Sequence, residues 1–268
     1  TGTGTTTITI NPTDDLASST GYYLTIATTA FDDSSSNSYA GITDATTLNF
    51  TIADVNAPTI VFDPVDSATG VAVTSNITLT FDEEIRLIIN NAEIDSTNVE
   101  SLIELRETNA SGSKIGFAAS IDTSDTVITI NPTSDFSSEQ IIYVAIGATV
   151  EDLYDNAITA SSATFTAIDT ISPTLTFDPA DSETLVPVTD NITITFSEAI
   201  RLISGNTDID NTNVDALITL KDSDSSGTTI DFNATIDTDD KVITINPDSN
   251  FSSEQTVYVA IGATVEDD

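Results

Sequence analysis

Residues 191–196 read NITITF, and residues 76–81 read NITLTF. In each, Ile, Leu or Phe alternates with Thr, so one face of an extended chain is apolar and the other hydroxylated. That is the period-two pattern of a half-buried β-strand. The second stretch returns 115 residues after the first, and so does its surrounding sequence. Residues 57–152 align with 172–267 without a gap, and 61 of the 96 pairs are identical. FDP recurs at 62–64 and 177–179, VITINP at 127–132 and 242–247, and YVAIGATVED at 143–152 and 258–267. A repeat this long is a domain, not a turn of a solenoid.

Residues 1–56 repeat the later part of the same unit, with TITINP (7–12), DLASS (15–19), YLTIATTAFDD (23–33) and NFTIAD (49–54). The chain is therefore read in three pieces. Residues 1–56 are the C-terminal half of a repeat, 57–171 a complete repeat, and 172–268 a repeat lacking its last strand. The third piece stops before any counterpart of ATFTAID (163–169). An excerpt from a longer tandem array explains both cut boundaries. Strand addition by another subunit is the alternative, and no residue in the sequence favours it.

Short period-two runs separated by polar turns predict an all-β fold, a tandem of seven-stranded antiparallel sandwiches joined by short linkers. In the complete repeat, strands are expected near 59–63, 77–82, 101–106, 114–121, 126–131, 141–147 and 163–168. Val, Ile, Thr, Phe and Tyr dominate them, as pleated half-buried surfaces prefer. Residues 83–100 break the alternation and are expected to hold a short helical turn.

The chain has 268 residues, 39% of them apolar, enough for two cores on length and composition. It carries 43 acids against 6 bases, for a net charge of −37. Such a surface repels nucleic acid, whose phosphates need Lys and Arg, and attracts cations. His, Cys, Met and Trp are absent. Thiol and imidazole nucleophiles, zinc and haem ligation and disulfides are excluded with them. The longest apolar run, IIYVAI (141–146), is far too short for a membrane helix, so no membrane insertion is expected.

Residues 172–200, SPTLTFDPADSETLVPVTDNITITFSEAI, and 143–158, YVAIGATVEDLYDNAI, together resemble the bacterial immunoglobulin-like repeat domain. Asp155 stands where that family usually has glycine. The resemblance extends over all three pieces. It implies a β-sandwich found in tandem in S-layer proteins, large surface adhesins and multidomain extracellular enzymes, and hence an extracellular or cell-surface location. Its usual role there is that of a spacer or surface module.

Two spacers carry an aspartate followed four positions later by proline: Asp54 with Pro58, and Asp169 with Pro173. In sandwich order the loops at the entry end of each repeat are acidic. They bring Glu83, Asp122 and Asp152 towards Asp54, and Glu198, Asp237 and Asp267 towards Asp169. Crowded carboxylates repel one another unless protonated or bridged. A hard divalent cation taking six to eight oxygens resolves this, and Ca²⁺ is the natural candidate as a structural ion. The competing reading is that acids simply cover solvated loops in a chain acidic throughout.

Other motifs carry less. DSDSSG (222–227) matches the opening of an EF-hand loop, but position 12 is Asn233, and a polar hairpin turn is the better account. Paired carboxylates without Trp platforms make a poor glycosidase, and a 115-residue repeat lacks the short regular coil that ice binding needs. No reaction is assigned. Arg86 and Arg201, at equivalent positions, are read as local ion pairs. The expected function is a structural repeat region, an adhesin stalk, filament or surface-layer component with calcium-stiffened junctions. Its partners are neighbouring repeats of the same or identical chains. The rivals are a self-assembling sheath subunit and an adhesive module binding surface glycans or proteins. For the second, residues 34–48, SSSNSYAGITDATTL, are the loop to examine, being longer than their counterpart.

Overall fold

In a computed structural model of the chain, residues 6–267 are described. They fall into two compact units, one ending at Asp169 and the other beginning at Thr170. Every regular element among them is a β-strand, apart from two single 3-10 turns, Val99–Leu102 and Val214–Leu217.

The sandwich of the first unit has two four-stranded sheets. One orders Ile60–Asp63, Ile77–Phe81, Val127–Pro132 and Phe117–Ile121, all antiparallel. The other orders Ala68–Val71, Ser161–Ala167, Ile141–Ile146 and Ile103–Glu107. The alternation in NITLTF does what it predicts: Ile77, Leu79 and Phe81 are buried and Thr80 is exposed. Their inward faces meet those of Ile142, Val144, Ile146 and Phe165 in one core. Each such aliphatic side chain contributes roughly 1.5–3 kcal/mol on full burial.

Two features depart from the sequence reading. The strand Ala68–Val71 is an eighth main strand, and it pairs parallel with Ser161–Ala167. Its sequence, ATGV, is short, carries a glycine and lacks apolar–polar alternation, because its stability comes from the neighbour it borders. The helical turn lies at Val99–Leu102, at the very end of the segment where it is expected. There Val99 and Leu102 face inward.

Residues 6–56 are more loosely built. Gly21–Tyr23 and Asn49–Thr51 form a two-stranded antiparallel sheet, extended by isolated bridges Ile26–Ile42 and Asp32–Ser38. No side chain among residues 6–56 is fully buried.

The second unit repeats the first sheet with Leu175–Asp178, Ile192–Phe196, Val242–Pro247 and Phe232–Ile236. Its burial pattern over Ile192–Phe196 is that of Ile77–Phe81. Its other side is smaller, with Ile218–Asp222 paired to Val257–Ile261 and Ile200–Leu202 between Thr207–Asp208 and Val265–Asp267. Among the described residues no helix is long and apolar enough to cross a membrane.

Candidate metal centre

Asp54 follows the strand Asn49–Thr51, Glu83 lies in the bend after Ile77–Phe81, and Asp152 directly follows Val150–Glu151. Three separate segments thus deliver one carboxylate each. An oxygen from each side chain lies within 4.8 Å of those of the other two. Asp152 is fully buried, while Asp54 and Glu83 are half-buried.

Each acid is held differently. The Asp152 carboxylate accepts from the backbone N–H of Tyr154 (2.7 Å) and Asn156 (2.8 Å) and from Asn156 Nδ2 (2.7 Å). Asn156 Nδ2 also donates to the carbonyl of Asp54 at 3.2 Å, tying the spacer to the sandwich. Asp54 accepts from Ser18 Oγ (2.9 Å), Ser19 Oγ (2.7 Å) and the N–H of Asn56 (3.0 Å). Those bonds, the backbone one foremost, hold its carboxyl below the usual carboxylate range. Glu83 is pushed the other way, first by burial and then by the charges of Asp152, Asp54 and Asp82.

No base relieves this crowding: among the described residues none of the three carboxylates forms an ion pair. Arg86 is engaged beside them by Glu151, with Nε 3.2 Å from Oε1, and by Asp155, with Nη2 2.6 Å from Oδ1. Glu151 is only 5% exposed, so this ion pair is more buried than the sequence implies. The donor set is all hard oxygen, which fits calcium and not a thiolate- or imidazole-seeking metal. Three carboxylates supply part of its six to eight oxygens, and waters complete such sets.

The remaining sequence candidates lie elsewhere. The Asp122 carboxylate caps its own turn, accepting from the N–H of Thr126 (2.9 Å) and Val127 (3.0 Å). Asp237 does the same with Lys241 (2.8 Å) and Val242 (3.0 Å). Asp169 closes the first unit and accepts from Ser138 Oγ. In the second unit, Glu198 follows Ile192–Phe196 and Asp267 ends Val265–Asp267. DSDSSG forms a tight turn, in which Ser226 N–H donates to Asp224 Oδ1 and Gly227 N–H to the Asp224 carbonyl. The partners that sequence reasoning passed over are Asn156, Ser18 and Ser19. The four-residue spacing of Asp152 and Asn156 is the one local signal for them.

The profile of the bacterial Ig-like domain matches residues 54–167 and again 169–268. No curated protein matches the chain in sequence. Among solved structures, the N-terminal part of the bacterial S-layer protein SbsC is 10% identical, over 75% of this chain and 43% of that one, with a TM-score of 0.31. Domains 1–6 of the same surface-layer protein are 14% identical over 78% and 24%, with a TM-score of 0.31. The LD transpeptidase LdtMt1 is 13% identical over 69% and 78%, with a TM-score of 0.27. The chain spans less than half the length of the S-layer structures it matches.

Proposed function

Because the chain belongs to the bacterial Ig-like domain family, with two copies of that domain in tandem, we propose that it is a structural repeat region of an extracellular or cell-surface protein. It acts as a stalk, filament or surface-layer component, and calcium stiffens the segment entering the sandwich. Residues 1–56 are the closing half of a further repeat, which the match of NFTIAD to TFTAID supports. The observation that carries the calcium reading is the convergence of Asp54, Glu83 and Asp152 within 4.8 Å without a basic partner. The chemistry such a site offers is cation binding: its three carboxylates present hard oxygens to one point.

Calcium would neutralise the repulsion that, after burial, raises the Glu83 pKa, and would clamp the Asp54 spacer against the loops bearing Glu83 and Asp152. A ligand that binds only the folded form at one hundred times its Kd adds about 2.7 kcal/mol of stability. Thermal melting and small-angle scattering with calcium and with chelator test the proposal. Chelation should lower the melting temperature and loosen the scattering envelope. Identical curves would sink it.

A further inference from the structure

The complete sandwich of the first unit has its two spacers at opposite ends of one strand. Asp54, in the incoming spacer, lies beside Asp152, which follows the C-terminal end of Ile141–Ile146. Asp169, where the chain leaves, accepts from Ser138 Oγ, just before that strand begins. A pull on the two spacers therefore runs along the strands, not across them. Ile60–Asp63 follows the incoming spacer and pairs antiparallel with Ile77–Phe81 over four register positions. Residues 64–67 then lead into Ala68–Val71, which lies parallel to Ser161–Ala167, the strand before the outgoing spacer.

Parallel strands point their N-terminal ends the same way. Tension draws Ala68–Val71 towards its N-terminal end and Ser161–Ala167 towards its C-terminal end, so the pair is driven to slide. Ladder hydrogen bonds run across the strands, so sliding strains them together, whereas peeling breaks them one at a time. Here Ser67 N–H donates to the Thr164 carbonyl at 2.6 Å, and Ile168 N–H to the Val71 carbonyl at 2.7 Å. The Asp66 carboxylate accepts from Thr164 N–H at 2.8 Å and Thr164 Oγ1 at 3.2 Å. At the other loaded strand, the Asp82 carboxylate accepts from Thr59 N–H at 2.7 Å. Bonds to a charged acceptor are the stronger kind. Phe62 and Phe165, one on each loaded strand, are buried in the shared core, so neither strand slides without dragging a ring through packed neighbours.

We propose that this sandwich is a mechanical clamp: the parallel pair of Ala68–Val71 with Ser161–Ala167, fastened by Asp66 and, at the entry, by Asp82, resists tension along the chain far better than a pull that peels it. Asp66 and Asp82 differ from Asp122 and Asp237, which cap their own turns. Both reach across the fold to a backbone N–H on or beside a strand that carries the load. In the second unit Ser197 Oγ accepts from Thr174 N–H at 2.9 Å at the place equivalent to Asp82, so the acceptor recurs with a different side chain. That the load is tension passed between repeats rests on the stalk reading; the dependence on direction rests on strand topology alone.

The test is single-molecule pulling of the 268-residue chain in chelator, so that it is separate from the calcium reading. The chain has no cysteine, so pairs of introduced thiols set the direction of force. Val55→Cys with Ile171→Cys, both at exposed positions, loads the clamp lengthwise. Ser137→Cys with Ile171→Cys instead peels Ser161–Ala167 from Ile141–Ile146, starting at the Ile141–Thr166 pair. Full release should add roughly 400 Å of contour in the first case and roughly 120 Å in the second, which identifies the segment that opens. At equal force the lengthwise pair should survive about tenfold longer or more, the effect of one further ladder bond loaded at the same time. Asp66→Ala, at an exposed position, should shorten the lengthwise lifetime about threefold or more and the peeling lifetime less. Equal lifetimes in the two directions overturn the proposal, and that comparison needs no substitution within the clamp. So does an Asp66→Ala effect that is the same in both. Melting and scattering with calcium bear on the calcium reading alone, and neither result depends on the other.

Discussion

Phe50 and Phe165 occupy the same place in the repeat and sit in opposite environments, so truncating each to Ala separates repeat position from packing. Phe165 is 1% exposed and meets Phe136 edge-to-face, ring centroids 5.7 Å apart at 73°. Losing a fully buried phenylalanine costs about 3–5 kcal/mol in transfer and cavity terms. For a unit of this size each kcal/mol lowers the midpoint by about 2–4 °C, so Phe165→Ala should lower the first unit's transition by roughly 6–20 °C. Phe50→Ala removes a side chain that solvent already reaches, and should stay within about 0.5–1 kcal/mol. Differential scanning calorimetry on dilute, monomeric protein reads both. The second unit contains none of this core, and its transition should not move. If the two substitutions lower the midpoint equally, or if Phe165→Ala is silent, the assignment of Ser161–Ala167 as the sealing strand is wrong.

Further outcomes follow from the charged and glycine positions. Arg86→Met strands Glu151 nearly buried without a counter-charge and should cost about 3–5 kcal/mol in urea denaturation. Arg201→Met, whose partner Glu266 is far more exposed, should cost about 1 kcal/mol or less, and equal costs would contradict the burial argument. Glu83 has a folded-state pKa above its unfolded value, so its ionisation opposes folding, and stability is lost as pH rises from the unfolded pKa through the folded one. Glu83→Gln in chelator should therefore raise the melting temperature, with a gain that grows over this window. Asp54, with its pKa lowered, has the opposite sign: it stabilises above its unfolded pKa, and that contribution fades as pH falls. Gly112→Ala would place a Cβ 1.7 Å from the Glu107 carbonyl oxygen and should destabilise the first unit by more than about 1 kcal/mol, measured by thermal melting.

The alternation in NITLTF and NITITF made the central strands legible, because a half-buried strand writes its two faces directly into the sequence. Ala68–Val71 was not legible, since a strand stabilised by a parallel neighbour about 95 residues away needs no pattern of its own. The meeting of Asp54 with Glu83 and Asp152 could be foreseen from loop order in a sandwich. The roles of Asp122 and Asp237 could not. An aspartate opening a short turn looks the same in sequence whether its oxygens face an ion or its own backbone N–H groups. Here Oδ1 of Asp122 accepts from the N–H groups of Thr126 and Val127, and Oδ1 of Asp237 from those of Lys241 and Val242. The depth of the Arg86–Glu151 pair was likewise hidden, because it depends on strands 86–87 and 150–151 pairing across the fold.

The calcium reading is tested most directly by a crystal structure of the chain grown with calcium. The account predicts an ion bound by Asp54, Glu83 and Asp152, with ligand oxygens at about 2.3–2.6 Å and waters filling the remaining positions. Only water among those three carboxylates at saturating calcium, with the spacer no better ordered than in chelator, would contradict it.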